Sequence, residues 1–173
     1  MKYFIKNDLN QFRIESMGKE DLGEVLKIEN CSFPTPWTRR LFEEELHNPN
    51  SRIFLLKKPK GEKDIIYGYI CLWLIRNEVH ILKIAIHPSF RRQGLARKLL
   101  KFALNYSFRR KVDKAILEVR EHNYPAHFLY KKFGFYQIGI RTKYYEDTKE
   151  DALIMELNLK DFFRNQPELK EKI

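Results

Sequence analysis

The segment from Val79 to Leu104 constrains this chain more than any other. Val79–Ile86 is rich in β-branched and apolar residues and reads as a strand. Pro88 ends it, because proline has no N–H to give to a ladder. Beyond the break, Leu95, Leu99 and Ala103, with Ala96, Leu100 and Leu104, recur at helical spacing and predict an amphipathic helix. A further strand, Ala115–Arg120, follows. Strand, loop, helix and strand in that order make a parallel crossover, which needs a sheet with helices packed against it.

The flanking sequence extends that sheet. Phe12 and Ile14 alternate with polar neighbours near 11–15, and Leu22, Val25, Leu26 and Glu29 share one face of a helix. Phe33-Pro34-Thr35-Pro36-Trp37 is held out of helix by its two prolines, after which Thr38 caps a helix carrying Leu41, Phe42 and Leu46. Strands are expected at Arg52–Leu56 and Ile65–Leu74, with a turn at 59–63 between them and another at 76–78. Pro125 suits the first turn of a helix bearing Ala126, Leu129, Tyr130 and Phe133, and Gly134 suits its left-handed end. Strands at Tyr136–Arg141 and Ala152–Leu157 complete the pattern. The expectation is an α/β (α+β) fold: a mixed sheet of about seven strands with about four helices on its two faces. One domain spans 11–158, with a polar N-terminal extension (1–10) and a polar C-terminal tail (159–173).

The loop into the third helix, Arg91-Arg92-Gln93-Gly94-Leu95-Ala96-Arg97, carries the sharpest chemistry. A helix start presents backbone N–H groups without internal partners and a partial positive charge, so anions collect there. Gly94 and Ala96 leave room for a phosphate to reach the backbone, and the arginines add long-range attraction. The segment is neither a Walker loop nor a dinucleotide fingerprint. From residue types alone, a turn chosen for its geometry is the stronger reading.

With the stretches around it, this loop resembles the GNAT family of N-acetyltransferases. Ile84-Ala85-Ile86-His87-Pro88 leads into the family's Gln/Arg-x-x-Gly-x-Gly/Ala motif. Leu117-Glu118-Val119-Arg120, Asn123, Ala126 and Leu129-Tyr130-Lys131-Lys132-Phe133-Gly134-Phe135 look like its next two blocks. Phe33-Pro34 with Pro36-Trp37, and Tyr144-Tyr145 followed by Glu150-Asp151-Ala152, are most similar to the RimI-like branch, which acetylates protein N-termini. The resemblance covers residues 11–158. It implies a splayed parallel strand pair, pantetheine against Ile84, Ala85 and Ile86, pyrophosphate on the N–H groups of Arg92 to Arg97, and Asn123 at the pantetheine arm.

Acetyl transfer to an amine requires a group to take the ammonium proton, a donor to the developing oxyanion and an acid for the departing thiolate. By the resemblance, Glu118 is the base and Tyr130 the acid, with Phe33, Pro34, Trp37, Tyr144 and Tyr145 flanking the acceptor. Alternation puts Glu118 on the face of Ile116 and Arg120, where a solvent-facing ion pair is the competing reading. Tyr130 shares a helical face with Ala126 and Phe133, as a core tyrosine would. Thr35 stands about where nascent-chain acetyltransferases often carry a second carboxylate, which places the burden on Glu118. Amine attack is direct, so neither cysteine is needed. Cys31 and Cys71 sit in apolar surroundings as core or half-core thiols, and neither they nor the histidines have metal-ligand spacing. No metal is expected.

The bulk properties agree with an enzyme of this kind and narrow its partners. At 43% hydrophobic residues the chain is globular rather than disordered. Its longest apolar runs are too short for a bilayer and its start lacks a signal-peptide core, so a cytoplasmic, non-membrane protein is expected, alone or as a weak homodimer. The net charge of +10 suits polyanionic neighbours, among them nucleotide phosphates, RNA and the ribosome surface, and equally a thermophilic source, so charge alone decides little. Three functions stay open: acetyl-CoA-dependent acetylation of a protein N-terminus, acetylation of a lysine or small amine by the same fold, and a non-catalytic basic module docking on RNA or ribosomes.

Overall fold

Among the described residues, seven strands and five α-helices form around the crossover. The computed structural model describes residues 12–60 and 63–167. In chain order the elements are β1 (Arg13–Ser16), α1 (Leu22–Ser32), α2 (Arg39–His47), β2 (Ser51–Lys60), β3 (Lys63–Ile75), β4 (Glu78–Ile86), α3 (Leu95–Phe108), β5 (Lys114–Arg120), α4 (Tyr124–Lys132), β6 (Tyr136–Arg141), β7 (Ala152–Asn158) and α5 (Leu159–Asn165). The sheet runs β1-β2-β3-β4-β5-β7-β6, and only β4 and β5 are parallel. This is the mixed sheet that the crossover demanded.

Local chemistry sets the helix ends. The Thr38 hydroxyl oxygen accepts from Leu41 N–H at 3.3 Å, so α2 starts as soon as the two prolines end. The Asn123 side chain accepts from Ala126 N–H at the start of α4, with Pro125 in the first turn. At its other end, Gly134 turns left-handed at φ +89° and Phe135 N–H reaches back to Tyr130 C=O at 3.1 Å.

The sheet divides the core in two. On one face Leu95, Leu99, Leu100, Ala103 and Leu104 of α3 pack with Tyr130 and Phe133 against Leu72, Ile81, Leu117 and Met155. On the other, Val25 and Ile28 of α1 and Phe42 of α2 cover Leu55, Tyr69, Cys71 and Ala85. Helices α1 and α2 cover β2, β3 and β4, and the same face of β5, β7 and β6 carries half-buried or exposed residues apart from the buried Ala152.

Three sequence expectations change. Residues 159–165, read as tail, form α5, and Leu159, Phe162 and Phe163 are buried in the α3-side core. They recur at i, i+3 and i+4, so the helical signal was present. The turn expected at 59–63 is shorter, because β2 runs through Pro59, which pairs with Asp64. Among the described residues the β1–β2 pairing ends at Lys57, short of Pro59. Cys31 is exposed on α1 and only Cys71 is a core thiol, its pKa pushed up to about 12 by burial. The expected N-terminal extension, 1–10, lies outside the described residues. Among the described residues no helix is long and apolar enough to cross a membrane.

Candidate active site

The site begins where the parallel ladder fails. Strands β4 and β5 pair from Glu78–Lys114 to Ile81–Leu117 and no further, although β4 continues to Ile86 and β5 to Arg120. On its other side β4 stays paired to β3, but the register shifts between Cys71 and Leu72, leaving Leu82 as an extra residue. Such a bulge bends a strand, here at the point where its neighbour departs. Close β3–β4 packing continues beyond it. A Cβ at Gly68 would lie 2.4 Å from Ala85 C=O, so only glycine fits.

The departure exposes backbone. His87 N–H points to β3, where it bonds Tyr67 C=O at 2.9 Å. Hydrogen-bonding direction alternates along a strand, so Ile84 and Ile86 direct their N–H and C=O toward the opened side. Arg91 Nε donates to Ile86 C=O at 3.0 Å, and its NH2 group donates to Ser32 at 3.2 Å, tying the end of β4 to α1. The Arg91 side chain thus braces the end of β4 and keeps its charge at the turn.

The turn that follows is shaped for an anion. Arg92 at φ +63° and Gly94 at φ +77° both sit in the left-handed region, which curls successive N–H groups to one side. Helix α3 then starts with no side-chain cap and no acidic residue in its first turn. Leu95 is buried in the core, so it offers only backbone, while Arg92, Gln93 and Arg97 are exposed. These residues fit a phosphate, and Ile84 and Ile86 fit an extended amide chain such as pantetheine. Asn123 Oδ1 is committed to capping α4, which leaves its amide N–H₂ for any ligand contact.

Glu118 is the first β5 residue past the last pairing with β4, and it faces away from α3. The Arg141 guanidinium on β6 lies 3.3 Å from its carboxylate, and both side chains keep solvent access, so the ion pair is a loose one. Tyr130 is 5% exposed, and burial, then the neighbouring Tyr145, pushes its phenol well above the usual tyrosine range. It therefore holds its proton across the physiological range.

Two aromatic walls stand on the Glu118 face. Phe33 and Trp37 come from the α1–α2 loop, with Pro34 exposed beside them. Tyr144 and Tyr145 come from the β6–β7 connection, their rings 5.2 Å apart and edge to face. The Arg120 guanidinium covers Tyr145 at 3.8 Å and donates to Asp147 at 2.7 Å, and the Thr35 hydroxyl donates to the same carboxylate at 2.7 Å. The walls are joined through Asp147.

Sequence reasoning missed the group beneath them. Glu29 on α1 is wholly buried and accepts from three donors: Trp37 N–H at 2.7 Å, the Tyr69 hydroxyl and Lys83 Nζ. Lys83 Nζ also lies 4.1 Å from the Phe33 ring centre and 4.8 Å from that of Trp37. Burial lowers the Lys83 pKa against the pull of Glu29, and burial, then Glu29, raises that of Tyr69 well above normal. A charged residue at a core position of the predicted α1 was the one available signal.

Comparison with known proteins identifies the family and the fold. The sequence profile of the Acetyltransferase (GNAT) family matches residues 22–135, more than half of the chain. A Bacillus subtilis (strain 168) protein provisionally assigned as ribosomal protein bS18-alanine N-acetyltransferase is 38% identical over 143 residues, 82% of this chain and 92% of its own length. The ribosomal protein bS18-alanine N-acetyltransferase of Escherichia coli (strain K12) is 32% identical over 146 residues, 83% of this chain and 95% of that one. The crystal structure of the ribosomal-protein-S18-alanine N-acetyltransferase from Escherichia coli superposes with a TM-score of 0.76 at 31% identity, covering 86% of this chain and 94% of that one. The chain is an acetyltransferase and belongs to the GNAT family.

Proposed function

We propose that this acetyltransferase modifies the N-terminal α-amine of a protein, with a ribosomal protein of the bS18 kind as its acceptor. One observation carries the reading. Glu118, the paired aromatic walls and the opened side of β4 meet on one face of the sheet where β4 and β5 part. The relatives named for acetylating an N-terminal alanine of bS18 support the choice of acceptor.

Acetyl-CoA supplies the acetyl group as a thioester. The N–H groups of Arg92 to Arg97 hold its pyrophosphate, and its pantetheine arm pairs with the N–H and C=O of Ile84 and the N–H of Ile86, which β5 leaves free. The incoming chain end passes between Phe33, Pro34 and Trp37 on one side and Tyr144 and Tyr145 on the other. Glu118 takes the ammonium proton, and the amine lone pair then attacks the thioester carbon. The buried Tyr130 phenol gives its proton to sulfur as the carbon–sulfur bond breaks, and the phenolate is reprotonated by the surplus proton that the attacking nitrogen sheds. A cytoplasmic enzyme working beside ribosomes fits this acceptor, and the net charge of +10 favours such company.

The test is acetyl transfer to synthetic peptides. A peptide with the bS18 N-terminal sequence should be acetylated, and the same peptide with a blocked N-terminus should not. Transfer to the blocked peptide through an internal lysine would move the activity to side-chain amines. Transfer to neither would overturn the proposed acceptor.

A further inference from the structure

We propose that Lys83 sets the size and charge of the first acceptor residue, admitting small neutral side chains and excluding large or cationic ones; this rests on the N-terminal reading above. Lys83 lies on β4 just past the Leu82 bulge, on the same face as Glu118. Its ammonium contacts the Phe33 and Trp37 rings of one wall, and the Arg120 guanidinium, which covers Tyr145 of the other wall, is near enough to repel its charge. In this reading Lys83 floors the gap from beneath the Phe33–Trp37 wall, on β4 directly before Ile84.

The floor is fixed in place. Only 12% of the Lys83 side chain is exposed, and its charge is held by the buried Glu29 and two aromatic faces. Glu29 is held in turn by Tyr69 and by the Trp37 N–H, so moving Lys83 disturbs the wall as well as the floor. A first residue of alanine or serine size leaves this group untouched. Leucine or methionine must displace a paired ammonium, and lysine or arginine meets a like charge with little water to screen it.

The experiment compares kcat/KM for peptides identical except for the first residue: alanine, serine, leucine, methionine or lysine. Wild type should prefer alanine and serine over leucine by at least about ten-fold, the discrimination a tight pocket gives for extra methylenes. Lys83→Ala should cut that ratio by about ten-fold, mainly through a lower KM for the leucine peptide. Lys83→Met keeps the length without the charge. It should retain the preference for alanine over leucine while improving the lysine peptide relative to alanine.

Removing Lys83 leaves Glu29 buried without its cation, so Lys83→Ala should be paired with Glu29→Gln/Lys83→Ala, which removes both charges. A leucine peptide used as well as the alanine peptide by wild type overturns the inference. So does an unchanged ratio in whichever alanine variant melts cooperatively. Failure of wild type to acetylate any free N-terminus strikes the proposed function instead.

Discussion

Thr35, on the loop between α1 and α2, donates its hydroxyl to Asp147, on the loop between β6 and β7, at 2.7 Å and across 112 residues of chain. Arg120 bonds the same carboxylate from β5. At Thr35, where nascent-chain acetyltransferases often carry a second carboxylate, the structure puts a clasp across the two walls of the acceptor gap.

The clasp gives a pH signature. Hydrogen bonds from Arg120 and then Thr35 hold the Asp147 carboxyl well below the usual aspartate range. A folded-state pKa below the unfolded value lends stability that is present above about pH 3.9 and lost as pH falls through the folded value. Asp147→Asn should therefore melt with less pH dependence than wild type below pH 4. At neutral pH it should raise the peptide KM roughly two- to five-fold, the worth of an exposed ion pair. Identical melting profiles for the two proteins would remove the clasp.

Glu118→Gln should lower kcat by about 10² to 10⁴ and leave the KM for acetyl-CoA unchanged, because it removes a proton acceptor without touching the cofactor turn. The loss should shrink as pH rises past the α-amine pKa of about 8, where the acceptor arrives unprotonated. A uniform loss across that range would make Glu118 structural.

Tyr130→Phe keeps the ring that packs against Phe135 at 5.7 Å between centroids, so thermal stability should change little. Acetyl transfer should fall by about 10² or more. An acetyl thioester of a more acidic thiol should restore part of the rate, because its thiolate leaves without help. Absence of that rescue would argue that the hydroxyl does something other than protonate sulfur.

Gly94→Ala separates backbone conformation from packing. A Cβ there would meet nothing within 4 Å, so the penalty comes only from φ +77°, about 1–2 kcal/mol. Melting should drop by a few degrees, and the KM for acetyl-CoA should rise as the turn relaxes. An unchanged KM would place the pyrophosphate elsewhere.

What could be read from the sequence follows the range of the forces involved. The α3 stripe, the Thr38 cap, the Gly134 termination and the alternation that puts Glu118 on its face all depend on near neighbours, and each is found. Helix α5 carried the same kind of signal in Leu159, Phe162 and Phe163, but its polar surroundings led it to be read as tail. The Glu29–Lys83 pair spans 54 residues and the Thr35–Asp147 bond 112, and no local pattern announces either. Arg91 shows the limit within the motif itself, since its position was plain but its bond to Ile86 depends on how β4 ends.

The early end of the β4–β5 ladder gives the sheet a pair of edges in its interior, where continuous sheets have none. In the arrangement proposed here, acetyl-CoA lies in that seam as a missing strand would. Resistance to unfolding then follows cofactor supply, by about 2.7 kcal/mol at a hundred times the dissociation constant. A cell short of acetyl-CoA would hold this protein at its softest, and its turnover by proteases would track the same metabolite that its catalysis consumes.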